Sequence, residues 1–203
     1  MAKIKLTKTE LKLQRDALKR FLRFLPTLEL KKKQLIQEIQ RVEAAFNEKD
    51  RLERELRHSL DAWIKLFSEP VGIEDLVFLD RIETGEANVA GVSIPVFVKA
   101  YFTVGAYDLE RTPLWLDRAI EVVQRLGSLD AERAVLARQK KLIGHELRST
   151  IQRINLFEKV KIPEARDYIR RIQIYLGDQQ ANAVARGKIA KGKLADVQMA
   201  TYV

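Results

Sequence analysis

The eight residues Gly187-Lys188-Ile189-Ala190-Lys191-Gly192-Lys193-Leu194 carry the glycine and lysine spacing of G-x-x-x-x-G-K-[ST], the loop whose backbone N–H groups cradle phosphates. The hydroxyl that would hold Mg²⁺ is missing at Leu194. No β-branched strand precedes Gly187 and too little chain follows for a βα unit, so no nucleotide site is expected. The only imidazoles, His58 and His145, stand singly, with no second histidine at i+4. They read as solvated side chains rather than metal ligands. The absence of cysteine removes disulfides, thiolate metal sites and a thiol nucleophile. Glu53, Glu55 and Asp61 each have basic neighbours three or four positions away, the pattern of solvated helix pairs and not of a catalytic dyad. No enzymatic chemistry, metal or cofactor is expected.

The chemistry that remains is charge. The formal net charge of +9 is unevenly placed: residues 1–40 hold 11 basic and 4 acidic side chains, residues 148–203 hold 11 and 5, and the stretch between is mildly acidic. The sharpest feature is Lys31-Lys32-Lys33, which alone reads as a solvated helix face. It gains weight from Arg15, Lys19, Arg20 and Arg23 before it, and from Arg166, Arg170 and Arg171 near the other chain end. If the two ends lie side by side they form one positive tip, attractive to an acidic protein sleeve, a phosphate backbone or an anionic surface.

The elements that must carry these charges are helices. Charged residues make up 32 % of the chain, with nine glycines and five prolines, the composition of long helices. Leu11, Leu18, Phe21, Leu25, Leu28, Leu35, Ile39, Val42, Phe46, Leu52, Leu56, Leu60, Trp63 and Phe67 follow a helical stripe of coiled-coil width. Pro26 is the one strong breaker, and a kink is expected there. A second stripe begins after Pro113 with Leu116, Ile120 and Val123. It resumes through Ile143, Leu147, Ile151, Ile154, Phe157, Ala165, Ile169, Ile172 and Leu176, and the helix is expected to end near Gly177. Asp178–Val203 reads as frayed helix or as a tail ordered only by a partner, and no structure is assigned to it. Phe21 and Phe157 read as core residues, and Phe24 does not.

Between the stripes, Leu76–Thr84 and Val89–Val98 read as two strands around Gly85-Glu86-Ala87-Asn88, with Pro95 confining the second strand to an edge. A lone hairpin is marginal in water and should lean on the helix ends or on another protein. No stretch approaches the ~20 apolar residues of a membrane span, and no signal peptide is evident.

The predicted fold is therefore mainly α: a long antiparallel two-helix coiled coil with a short central β-hairpin insert, divided as 1–68, 69–113 and 114–203. Back-folding brings the chain ends together at one basic tip, with Lys12 near Arg170. It places Pro26 and Pro163 within about two turns of each other and sets the hairpin at the opposite end. Two readings without further information are a basic coiled coil that grips nucleic acid and a static scaffold.

Three segments carry a resemblance. Leu6–Lys12 (LTKTELK), Arg23–Leu35 (RFLPTLELKKKQL) and Arg153–Pro163 (RINLFEKVKIP), joined by Asn88–Pro95 (NVAGVSIP), resemble the D subunits of the V-type and A-type ATPases, in order and over almost the whole chain. The resemblance implies a rotor shaft joining the catalytic A/B hexamer to a membrane ring, with no active site, no cofactor, no nucleic-acid partner and no membrane insertion of its own. It implies that the paired terminal helices enter the hexamer cavity, that a small F subunit binds the side of the coil, and that a funnel-shaped subunit receives the lower end. It implies a cytoplasmic protein held at the membrane through the complex. Transferred to this chain, the cavity contacts are Lys12, Arg15, Lys19, Arg23, Lys31, Lys32, Lys33, Arg153, Arg166, Arg170 and Arg171.

Overall fold

A computed structural model describes residues 4–61, 73, 76–108 and 112–201, with side chains up to residue 193. The expected continuation of the first stripe through Trp63 and Phe67 lies outside the described residues. The order is α1 (Lys8–Leu60), β1 (Val77–Val89), β2 (Val92–Val104), α2 (Leu116–Leu156), a π-helical turn (Phe157–Lys161) and α3 (Ile162–Thr201). The chain divides into two compact units, Met1–Glu29 with Ile151–Val203, and Leu30–Thr150.

α1 starts where Thr7 Oγ1 accepts the Glu10 N–H at 3.2 Å, an N-cap that satisfies one of the helix's unpaired donors. It contains no glycine and is rich in Leu, Lys, Glu, Gln and Arg, the residues that lose least on becoming helical. It runs unbroken through Pro26, whose missing N–H leaves the Leu22 carbonyl without its usual donor. Just beyond, Thr27 Oγ1 donates to the Phe24 carbonyl at 2.7 Å, a back-bond associated with bending.

In the Leu30–Thr150 unit, ion pairs between α1 and α2 fix an antiparallel alignment. Lys31 meets Glu146 at 2.6 Å, Glu43 meets Lys140 at 2.9 Å, Lys49 meets Glu132 at 2.9 Å and Asp50 meets Arg133 at 3.0 Å, so rising numbers on one helix match falling numbers on the other. Beneath them Leu35, Val42 and Ile143 are buried, flanked by Ile39, Leu136 and Leu147.

The hairpin belongs to this same core. Ile94 on β2 is buried against Leu35, Val42 and Ile143, with Ala87, Val89, Ala90 and Val92 packed around it. The hairpin therefore leans on the flank of the helix pair and not on the helix ends, because its tip carries the apolar side chains that fit the Leu35–Val42 and Leu136–Leu147 faces. Gln139, buried among apolar neighbours, donates its amide to the Pro95 carbonyl at 2.5 Å, tying β2 to α2. The turn also differs from the expected one: Gly85–Asn88 lie within β1, and the strands reverse at Ala90-Gly91. Positive φ at both residues, 49° and 82°, gives the two-residue turn whose twist matches the strands. Asn88 Oδ1 accepts the Gly91 N–H at 2.9 Å and holds that turn. Register shifts at Leu79/Arg81 and Glu83/Thr84 place one extra residue on each strand, and the second restores the alignment the first displaces.

In the other unit the Phe21 and Phe157 rings lie 5.1 Å apart at 42°, while Phe24 is exposed, as the stripe spacing predicts. Ile154, Ile162, Ala165 and Ile172 are buried. The predicted stop near Gly177 is wrong. α3 continues to Thr201, through a segment without proline and with Ala181, Ala183, Ala185 and Ala190 to offset Gly177, Gly187 and Gly192. Residues 177–193 are exposed on all sides. Among the described residues no helix is long and apolar enough to cross a membrane.

Candidate functional site: a basic partner-binding surface

Assigning every charged side chain to its unit concentrates the net charge. The unit containing both chain ends has 18 basic and 8 acidic residues, a net +10, whereas Leu30–Thr150 has 19 and 20, a net −1. All of the chain's excess positive charge resides where the terminal helices pair.

On α1 of the basic unit, Lys12, Arg15, Lys19 and Arg23 are exposed, as are Arg153 on α2 and Arg166 on α3. None of the six forms an ion pair among the described residues. Arg170 and Arg171 are exposed and share one acid, meeting the Asp167 carboxylate at 3.4 Å and 2.7 Å. Their charge exceeds that of their partner, so this cluster too remains positive. Exposed guanidinium and ammonium groups of this kind make screened, exchangeable contacts with acidic surfaces.

The Lys31–Lys33 run does not act as a block. It falls in the Leu30–Thr150 unit, where the Lys31 ammonium is committed to Glu146. Lys32 is half-buried and Lys33 is exposed. The phosphate-loop match is likewise disposed of by conformation, since residues 187–193 are helical and their N–H groups serve the α3 ladder. His58 is exposed and hydrogen-bonds Asp61 at 2.8 Å, and His145 is exposed.

Glu53 departs from its expected solvated role. It is 6 % exposed, accepts from Arg57 at 2.7 Å and is bonded by the Arg133 guanidinium, which also reaches Asp50 and Asp130 and lies over the Phe46 ring. Local spacing shows the Arg57 pairing but not that of Arg133, eighty positions away. Glu55 and Asp61 do behave as surface pairs, with Arg51 at 3.1 Å and His58 at 2.8 Å. Arg51 also grips Glu48, and this hydrogen bond holds the Glu48 carboxyl below the usual range. At the open end of the hairpin, Tyr101 donates to Glu83 at 2.6 Å beneath the Arg81 guanidinium, and the bond to Glu83 pushes the phenol's pKa up.

Residues 10–192 match the ATP synthase D-subunit family. The chain belongs to that family. It is similar to the V-type ATP synthase D subunit of Borreliella burgdorferi, 45 % identical over 194 residues and covering 96 % of each chain. It is also similar to the proteins of that name from Chlamydia abortus, 32 % identical over 95 % of this chain and 94 % of that one, and from Chlamydia pneumoniae, 33 % identical over 94 % and 93 %. The pieces that carried the resemblance, including the Pro26 and Pro163 blocks, lie almost entirely inside the matched span.

Proposed function

We propose that the chain is the non-catalytic central-stalk rotor shaft of a V-type or A-type rotary ATPase, held at the membrane through that complex and transmitting torque between the A/B hexamer and the membrane ion-translocating ring. Membership of the D-subunit family supports a place in a rotary ATPase. The observation that carries the finer reading is the confinement of the net charge to the unit containing both chain ends. A shaft end that turns inside a cavity needs attraction without a fixed orientation. Solvated lysines and arginines supply this, because each exposed contact is worth only about 0–1 kcal/mol and exchanges readily. Lys12, Arg15, Lys19, Arg23, Arg153, Arg166, Arg170 and Arg171 are the residues assigned to acidic loops of the hexamer, with Lys32 and Lys33 as lesser contributors. The exposed α3 segment of residues 177–193 is assigned to the same cavity, since an isolated helix of this length is marginal in water.

The near-neutral Leu30–Thr150 unit, with its cross-helix ion pairs and seated hairpin, is assigned to the F subunit and the funnel-shaped subunit on the ring. Torque requires helices joined along their length by a continuous packed seam, since strain localises where packing is loose. Co-expression with A and B subunits, followed by gel filtration, tests the reading. A stoichiometric complex with one copy of this chain per hexamer is expected, and failure to co-elute in low salt would refute it.

A further inference from the structure

The π-turn at Phe157–Lys161 has a cause that its proline neighbour does not explain. The buried and half-buried aliphatic and phenylalanine side chains here run Ile154, Phe157, Ile162, Ala165, Ile169, Ile172 and Leu176, with spacings of three, five, three, four, three and four. The five is the anomaly. In an α-helix at about 100° per residue, five positions turn about 140° beyond one full turn and would swing the rest of the stripe away from its partner. The π-turn spans that interval, with the Ile162 N–H bonded to the Phe157 carbonyl five residues back. A π-bulge absorbs one extra residue in an otherwise α-helical path, so the five positions count as four. Pro163 does not suffice as the cause, because Pro26 sits inside α1 without any such turn. An uninterrupted α-helix from Phe157 would instead bring Lys161, Glu164, Tyr168, Arg171 and Tyr175 to the buried side.

We propose that the π-turn is a phase-setting insert. Its extra residue keeps Ile162 to Leu176 on the buried side of the helix pair and thereby turns Arg171 outward, beside Arg166 and Arg170 on the exposed side. It is a positioning element for the basic surface. The insert is a property of the chain's own packing and does not depend on the rotor reading.

Single-residue length changes in the full-length chain test it, read by amide hydrogen exchange over Ile162–Leu176. Deletion of Val160, which is 42 % exposed, shortens the interval to four. The turn should relax to an ordinary α-helix with the same residues buried, and exchange should stay within about threefold of the parent chain. Insertion of one alanine after Val160 lengthens the interval to six. No single bulge absorbs that, and exchange should rise more than about tenfold, because several buried isoleucines lose alignment. Equal damage from the two changes, or a harmless insertion, would overturn the proposal. A crystal structure of Pro163→Ala should retain the bond from Ile162 to Phe157, and a continuous α-helix there would assign the turn to the proline instead.

Discussion

At the residue scale, burial decides which charges matter. Arg133 and Glu53 illustrate this: the carboxylate is 6 % exposed, so removing its cross-helix partner leaves a charge that only Arg57 serves. Arg133→Ala should destabilise the chain by about 2 kcal/mol, below the usual penalty for breaking a buried pair because Arg57 remains and Arg133 is itself partly solvated. Replacing both, as Glu53→Leu with Arg133→Met, should recover most of that loss in urea unfolding, since the partners left behind, Arg57 and Asp130, are solvated and no buried charge stays uncompensated. Tyr101 provides a pH test. Its hydrogen bond to Glu83 requires the phenolic proton, and the same holds for Tyr107 on Asp117 at 2.6 Å. Both pKa values are raised, chiefly by these bonds. Their stabilisation is therefore complete below the ordinary phenol range and is lost as pH rises through the raised values. In an ultraviolet titration, Tyr101→Phe should remove part of the late-ionising absorbance. An unchanged late fraction would show that the Glu83 bond does not form in solution.

At the element scale, two glycines on α2 that look alike in sequence should respond differently to alanine. Replacing a helical glycine with alanine gains up to about 1 kcal/mol. At Gly144 nothing lies within 4 Å of the added Cβ, so Gly144→Ala should raise the melting temperature. At Gly127 the Cβ would stand 2.9 Å from Phe102 Cε1, where α2 meets β2, and overpacking of this kind costs about 1–3 kcal/mol. Gly127→Ala should therefore be neutral to destabilising, and a gain equal to that of Gly144→Ala would contradict the close packing of the hairpin on α2. In the turn, Gly91→Val forces a β-branched residue to φ 82° and should cost about 1–2 kcal/mol.

At the scale of the whole molecule, the proposed function assigns association to the charge division. Reversing Arg15, Lys19, Arg153 and Arg166 to Glu should leave the helix content by circular dichroism unchanged, since none has an ion pair among the described residues. Hexamer affinity should fall by at least about tenfold at low salt, with a smaller loss at high salt, where these contacts are already screened. Equal affinity for the parent and the reversed chain would remove the basic unit from the interface. Truncation after Gly177 should leave folding intact, because residues 177–193 are exposed throughout, while weakening retention in the hexamer.

Helix class and the two apolar stripes were legible in the sequence alone, and every described residue named in those stripes is buried or half-buried. The reason is local: a 3.6-residue period in side-chain polarity dictates both helix and buried face. The hairpin's existence was equally plain from its Val, Ile and Phe content. Its turn was not, because Gly85 and Asn88 are turn residues by type, and only packing of Ile94 against Leu35, Val42 and Ile143 selects the register that reverses at Ala90-Gly91. The five-residue interval after Phe157 was present in the sequence, but its resolution by a π-turn depends on a partner helix that keeps the stripe aligned. Glu53, Lys31 and Gln139 acquired their roles from residues many tens of positions away. Periodic patterns encode which face of an element is buried, while the partners of a particular charge or amide exist only once distant segments meet.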